Sequence, residues 1–182
     1  KQRELQKRGA IFSSTSDTET LLHLIAMSTH DSFTEKFIDA IKQLEGAFSL
    51  VGLSGKKMVG ARDRLGIRPL VLGDLDGAYI LASETCALDI IGARYVRDIA
   101  AGEVIVISED GAESHFPYAK TNSRFCIFEY VYFARPDSNI EGLNVYEVRK
   151  RIGQELAKES PVEADMVVPV PDSGTPAAIG FS

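Results

Sequence analysis

The most informative segment of this chain reads Cys126-Ile-Phe-Glu-Tyr-Val-Tyr-Phe-Ala-Arg-Pro-Asp-Ser138, an aromatic-rich apolar run that ends in a charged turn. Aromatic and β-branched residues favour a pleated, half-buried surface, so residues 127–133 predict a buried strand. Pro136-Asp-Ser138 then supplies turn chemistry. The segment therefore predicts a strand that delivers polar groups to a loop.

Two helices and a series of short strands are predicted before this segment. Apolar residues recur at helical spacing from Thr15 to Met27 and from about Phe33 to Leu44, and Ser16 with Glu19 has the spacing of a capping box. Six short strand-like runs follow, separated by Gly or Asp turns: 47–53, 57–62, 69–73, 78–83, 95–99 and 103–108. Such closely spaced strands predict an antiparallel sheet.

The apolar pattern lapses in the polar residues 117–124, which we take as a domain boundary. It divides the chain into residues 1–118 and residues 119–182. After the aromatic segment, we expect a helix from about Asn144 to Lys158, an apolar strand from Ala164 to Val170, a loop, and a helix that begins at Pro176. Helix, strand, loop and helix in this order indicate the start of an α/β domain with parallel strands.

Composition excludes some functions and leaves others open. The chain has 182 residues, 45% of them hydrophobic, and a net charge of -6. A negative charge argues against nucleic acid as a partner, because a phosphate backbone needs a basic surface. No apolar run is long enough to span a bilayer. Two cysteines do not make a disulfide framework, so a reducing compartment, the cytoplasm, is the simpler expectation.

Five motifs together point to one family. In chain order they are Ser16-Asp-Thr-Glu19, Arg62-Asp-Arg-Leu-Gly-Ile-Arg-Pro-Leu70, Ser83-Glu-Thr-Cys-Ala87, the aromatic segment, and Val170-Pro-Asp-Ser-Gly-Thr-Pro-Ala-Ala178. Because it contains these five motifs in this order, the chain resembles the glutamine phosphoribosylpyrophosphate amidotransferases. The resemblance implies the αββα sandwich of N-terminal nucleophile hydrolases (class II glutamine amidotransferases), followed by the start of a type I phosphoribosyltransferase α/β domain.

The resemblance also implies a reaction, in which ammonia from glutamine displaces pyrophosphate from phosphoribosylpyrophosphate to give 5-phosphoribosylamine, the first step of purine biosynthesis. Mg²⁺, feedback purine nucleotides and a homo-oligomer would accompany it. The nucleophilic Cys is expected upstream of Lys1, so we expect no catalytic residue within these residues and no activity from them alone. Alternatives are a silent nucleotide-binding regulator, or an asparagine synthetase, whose Ser-Gly-Gly-x-Asp loop this sequence does not contain.

Asp17 is the first candidate site residue. An acid in the first turn of a helix is favoured by the helix dipole by roughly 0.3–1 kcal/mol, so it needs no function to be there. The resemblance implies that Asp17 binds the α-amino group of glutamine, and a carboxylate opposite an ammonium group is chemically sound. The Arg62–Leu70 and Ser83–Ala87 motifs are expected to form scaffold, with Cys86 a small core residue.

The second candidate site is Asp172, Ser173, Gly174 and Thr175. A predicted strand ends in this Gly-containing loop, with Thr175 as helix N-cap and Pro176 at the first helical position. Free N–H groups at a helix start favour an anion, although an ordinary turn between strand and helix would look similar. The resemblance implies that the loop holds the pyrophosphate of phosphoribosylpyrophosphate.

Phe128, Tyr132 and Cys126 complete the candidates. Phe128 and Tyr132 are four residues apart, hence on one face of a strand, and plain core packing would explain them. The resemblance implies that they line the apolar passage that carries ammonia between the two active sites, where an apolar wall keeps water out. It also implies that Cys126 matches a ligand of a [4Fe-4S] cluster in some members of the family. One Cys is not a cluster site.

Overall fold

The computed structural model describes all of residues 1–182, and it contains six α-helices, one turn of π-helix and nine strands. The helices are α1 (Gln2–Lys7), α2 (Thr18–Met27), α3 (Phe33–Lys42), α4 (Thr85–Ile91), α5 (Val145–Glu159) and α6 (Gly174–Phe181). The strands are β1 (Ser49–Ser54), β2 (Lys57–Arg62), β3 (Val71–Leu75), β4 (Ala78–Ala82), β5 (Arg94–Asp98), β6 (Val104–Ser108), β7 (Gly111–His115), β8 (Asn139–Ile140) and β9 (Leu143–Asn144). No helix combines the length and the apolar character that crossing a membrane requires.

Two antiparallel sheets form the centre of the first part of the chain. One has the strand order β1-β2-β6-β7, and the other has the order β4-β3-β5. Alternate residues of β6 point to opposite faces of its sheet, as strand geometry requires. Val104 and Val106 join a core with α2 and α3, whereas Ile105 and Ile107 join a core with Leu72 of the second sheet. The first sheet is therefore covered by helices on one face and by the second sheet on the other.

The second sheet is covered in turn by α4. Val71 on β3 packs with Leu88 and Ala93, away from the first sheet. A Cβ atom on Gly73 of the same strand would collide with the Leu88 side chain, which shows how closely α4 approaches. The layers follow the order helix, sheet, sheet, helix, and the predicted αββα sandwich is confirmed.

A separate small core begins after the polar residues 117–124. It consists of Tyr130, Ala134, Ile140 and Val145, so it joins the aromatic segment to the start of α5. α5 also packs on α6, so closely that a Cβ atom on Gly153 would overlap a backbone carbonyl of α6. This second core agrees with the division at residue 118, which stays a prediction.

The aromatic segment is not a strand. Residues Glu129–Phe133 form one turn of π-helix, which we call the aromatic turn, and the N–H of Ala134 donates to the carbonyl of Glu129 at 3.0 Å. The side chain of Arg149 on α5 donates to the carbonyl oxygens of Tyr130 and Ala134. Because these groups find partners in the turn and in α5, the segment needs no neighbouring strand. The strand prediction for residues 127–133 was wrong for this reason.

The predicted strand from Ala164 to Val170 is also absent. These residues are irregular and largely exposed, with Met166, Val168 and Val170 each more than 70% exposed. A strand needs a partner for its backbone groups, and none of the three sheets reaches this segment. Pro169 also lacks the N–H that a ladder would use. Four further elements, α4, β7, β8 and β9, were missed by the sequence analysis.

Candidate functional site

A cavity of about 950 Å³ lies where four of the five sequence motifs meet, and we call it the central pocket. Its wall includes Asp17 from the start of α2, Arg68 from the loop before β3, Glu84 from the start of α4, and Glu129 and Phe133 from the aromatic turn. These residues are far apart in sequence. The αββα sandwich brings them together because each lies at the end of an element that borders the same space.

Asp17 lies directly before α2, and its carboxylate makes no capping hydrogen bond to the helix. The side chain is exposed and lines the central pocket, so its oxygens are free to meet a cation there. A carboxylate at a pocket wall is suited to an ammonium group. The geometry is thus compatible with the glutamine-binding role that the sequence suggested for Asp17, which stays a prediction.

Glu19 orders the loop that carries Asp17. Its carboxylate accepts hydrogen bonds from the N–H of Ser13 at 2.7 Å, the N–H of Ser14 at 2.9 Å and the hydroxyl of Ser14 at 2.6 Å. The Ser14 hydroxyl and the Ser13 N–H hold the pKa of Glu19 below its ordinary value. The predicted capping box between Ser16 and Glu19 was wrong, because Glu19 reaches back past Ser16 to these two serines.

The Arg62–Leu70 motif folds into a loop around two buried charged side chains. Asp63 accepts from the N–H groups of Leu65 at 2.9 Å and Ile67 at 3.1 Å, and also from Phe48. Arg62 donates to carbonyl oxygens, including that of Arg68 at 2.8 Å. A buried charge needs such partners, and here they are mostly backbone groups of the loop itself. These contacts fit the expected scaffold role and fix the position of Arg68.

Arg68 joins this loop to the aromatic turn. Its Nε atom lies 2.8 Å from Oε1 of Glu129, which is 2% exposed. The N–H does not point along a hydrogen-bond direction to that oxygen, so attraction between the charges dominates the contact. Burial raises the pKa of Glu129, the Arg68 charge lowers it, and Glu84 raises it further. The guanidinium carbon also lies 4.6 Å from the centre of the Phe133 ring.

Glu84 ties the start of α4 to the loop after the aromatic turn. Its carboxylate accepts from the N–H of Arg135 and from the hydroxyl of Ser138, both at 2.8 Å. The hydroxyl of Thr85 accepts from the N–H of Asn139 at 2.8 Å. Cys86 is buried in the same helix, in agreement with its expected role as a core residue. The Ser83–Ala87 motif therefore fastens the two parts of the chain to each other.

Phe128, directly before the aromatic turn, and Tyr132, within it, both lie against Phe133. They are 55% and 65% exposed, so within these residues they are not packed in a core. Phe133 contacts both, with ring centres 6.0 Å from Phe128 and 5.9 Å from Tyr132. The three rings form an apolar patch that continues from the wall of the central pocket. Sequence reasoning missed Glu129 and Phe133, although a lone acid inside an apolar run was a usable signal.

The second candidate site forms a turn before α6. The N–H of Gly174 donates to Val170 at 3.1 Å and that of Thr175 to Asp172 at 3.2 Å, while the N–H groups of Asp172 and Ser173 have no protein acceptor. The helix begins at Gly174 with Ser173 as N-cap, so Thr175 is not the N-cap that the sequence suggested. Two free N–H groups at a helix start suit an anion. The pyrophosphate role of this turn stays a prediction.

The residues present do not fit an iron–sulfur cluster. Cys126 and Cys86 are both free, Cys86 is buried in α4, and no group of three His, Cys, Asp or Glu side chains is arranged to hold a metal. Four thiolates are needed for a [4Fe-4S] cluster. Cys126 as one ligand of such a cluster stays a prediction.

Comparison with known proteins identifies the same family as the five motifs. A family model described as "Glutamine amidotransferase domain" matches residues 1–89. The amidophosphoribosyltransferase of Rhizobium etli is 56% identical over 99% of this chain and 37% of its own length. That of Bacillus subtilis is 44% identical over 98% of this chain and 38% of its own length. The chain thus spans less than two fifths of these relatives.

Solved structures agree with the sequence relatives. Glutamine phosphoribosylpyrophosphate amidotransferase from B. subtilis, complexed with ADP and GMP, superimposes with a TM-score of 0.96 at 43% identity. The match covers 99% of this chain and 40% of that chain. Fold, motifs and relatives agree along nearly the whole of these residues, and the chain matches the corresponding part of the amidophosphoribosyltransferases.

Proposed function

We propose that this chain works as part of a glutamine-dependent amidophosphoribosyltransferase. Glutamine and water give glutamate and ammonia, and the ammonia nitrogen then attacks C1 of the ribose in phosphoribosylpyrophosphate. A C–N bond forms at C1, the C–O bond to pyrophosphate breaks, and a proton leaves the nitrogen. The products are 5-phosphoribosylamine and pyrophosphate. The comparisons favour this reaction over that of an asparagine synthetase, because the relatives are amidophosphoribosyltransferases.

The observation that carries the proposal is the shared wall of the central pocket. Asp17, the candidate partner of the glutamine ammonium group, lines the same cavity as Phe133 of the aromatic turn. Phe133 touches Phe128 and Tyr132. Nitrogen released in the pocket would therefore meet an apolar aromatic surface next to it, which admits neutral ammonia more readily than ammonium. This continuity supports a role for Phe128 and Tyr132 in the ammonia passage.

The turn before α6 would take the other substrate. The free N–H groups of Asp172 and Ser173, with the start of α6 behind them, would bind the pyrophosphate group of phosphoribosylpyrophosphate. Mg²⁺ would accompany that substrate on its phosphate oxygens, which are the hard ligands it prefers. Feedback by purine nucleotides, a homo-oligomer and a cytoplasmic location are further parts of the proposal.

The test uses the full-length protein that carries this chain, with glutamine or ammonium as alternative nitrogen donors. Asp17→Ala should raise the KM for glutamine strongly and leave the ammonium-dependent formation of phosphoribosylamine close to wild type, because ammonium bypasses the glutamine pocket. Asp31→Ala is the matched control, since Asp31 is an exposed acid outside the central pocket. Equal loss with both donors would show that Asp17 only supports its helix. Wild-type protein that forms no phosphoribosylamine from either donor would refute the proposed function itself.

A further inference from the structure

Arg68 stands between the central pocket and the aromatic patch. It lines the pocket together with Asp17, and its guanidinium group contacts both Glu129 and Phe133 of the aromatic turn. Its own loop is held rigidly, because the buried Asp63 accepts from the loop amides and Arg62 donates to the carbonyl of Arg68. The sandwich thus fixes the position of Arg68, and Arg68 holds the aromatic turn through its contacts with Glu129 and Phe133.

The contact between Arg68 and Glu129 matters because it neutralises a buried carboxylate. The carboxylate is buried, and Arg68 is the cation that lies against it, at 2.8 Å. Glu84 is the other charged group that acts on it, and that charge repels. A buried carboxylate without a cation must either take up a proton or move towards water. Since Glu129 begins the aromatic turn, its movement would displace the rings that follow it.

Phe133 is the second point of attachment. The guanidinium group lies over its ring at 4.6 Å, a distance at which a cation and an aromatic face attract each other. Phe133 in turn contacts Phe128 and Tyr132, so the orientation of one ring constrains the other two. The buried half of the turn is fixed by other means, because Arg149 binds the carbonyl of Tyr130. Arg68 acts on the exposed aromatic half.

We propose that Arg68 is a positioning residue that holds the aromatic turn against the central pocket, so that nitrogen released in the pocket passes along the aromatic rings instead of escaping to solvent. This inference rests on the proposed function and extends it to residues that neither bind glutamine nor line the pyrophosphate turn. It requires both contacts of Arg68, the ion pair with Glu129 and the stacking on Phe133.

The experiment measures the ratio of glutamate formed to phosphoribosylamine formed, with glutamine as donor, in the full-length protein. Arg68→Met retains a long, flexible side chain but removes the positive charge and the planar guanidinium group. We expect the ratio to rise from near one to at least about threefold, with the ammonium-dependent rate within about twofold of wild type. Arg94→Met is the matched control, because Arg94 forms an exposed ion pair with Asp74 away from the pocket and should leave the ratio unchanged.

A double variant separates positioning from stability. Arg68→Met with Glu129→Gln removes both charges at once, so no buried carboxylate is left unpaired and the melting temperature should stay near wild type. The ratio should still rise, because the stacking and the ion pair are both lost. A folded double variant with a ratio near one would overturn the inference, as would Arg68→Met in which both activities fall equally. Wild-type protein without any phosphoribosylamine from ammonium would instead refute the proposed function.

Discussion

The loop that presents Arg68 depends on one buried carboxylate, that of Asp63. Asp63 is 1% exposed and accepts hydrogen bonds from the N–H groups of Leu65 at 2.9 Å, Ile67 at 3.1 Å and Phe48 at 3.3 Å. Asp63→Ala leaves these three donors without an acceptor. A hydrogen bond to a charged group contributes about 1.5–3 kcal/mol, and neighbouring losses are not additive, so we expect a cost of about 3–5 kcal/mol.

The assay is thermal unfolding of the chain, followed by circular dichroism. For a protein of this size about 1 kcal/mol corresponds to roughly 2–4 °C, so Asp63→Ala should lower Tm by roughly 6–20 °C. The Tm of Asp63→Asn, which keeps one acceptor oxygen, should lie between the Tm of wild type and that of Asp63→Ala. Asp31→Ala is the control, because Asp31 is an exposed acid and its loss should leave Tm close to wild type. An Asp63→Ala protein with the Tm of the control would refute the view that this carboxylate holds the loop.

Three further outcomes are expected. Gly153→Ala should lower the free energy of unfolding by about 1–3 kcal/mol and lower Tm with it, because its new methyl group would collide with the Ala177 carbonyl, whereas Gln154→Ala on the exposed side of α5 should not; equal melts would contradict the close packing of α5 on α6. The raised pKa of Glu129 means that the folded state binds its proton more tightly than the unfolded state, so wild type should gain stability relative to Glu129→Gln as the pH falls through the raised pKa towards 4.5, the ordinary value for Glu; a relative loss of stability in melts as the pH falls would contradict this. Glu19→Gln should raise the KM for glutamine in the full-length protein without changing the ammonium-dependent rate, and an unchanged KM would show that the Glu19 hydrogen bonds do not position the loop.

Local patterns predicted most of the helices and strands of the sandwich, because these elements carry their own signals, whereas the layered arrangement was implied by the family resemblance. The residues Lys57–Arg62 form β2 with the predicted bounds, and α3 begins at Phe33 as expected, since a true capping box between Ser32 and Glu35 marks its start. The serine run before α2 misled the same reasoning. Several donors were within reach of Glu19, and only the three-dimensional path of the loop selects Ser13 and Ser14.

The aromatic turn shows what sequence periodicity alone did not decide. Residues 127–133 are apolar or aromatic at nearly every position, so neither a period of two nor a helical period stands out. The conformation is selected by partners far along the chain: Arg149 on α5 binds the carbonyl of Tyr130, and Arg68 pairs with Glu129. The strand prediction for Ala164 to Val170 was wrong for a different reason. Its composition is typical of a strand, but no strand among these residues pairs with it.

The most direct test of the account follows the amide nitrogen of glutamine. Full-length protein is supplied with phosphoribosylpyrophosphate and amide-¹⁵N-glutamine in the presence of excess unlabelled ammonium, and the isotope content of the phosphoribosylamine is measured for wild type and Tyr132→Ala beside a thermal melt. If ammonia passes along the aromatic rings, wild type should give mainly ¹⁵N product, and Tyr132→Ala should give unlabelled product while glutamine hydrolysis continues. Because Tyr132 is 65% exposed, a side chain without a role in the passage would leave both the isotope content and the melting temperature close to wild type. Labelled product at the wild-type proportion from Tyr132→Ala would contradict the passage of ammonia along the aromatic turn.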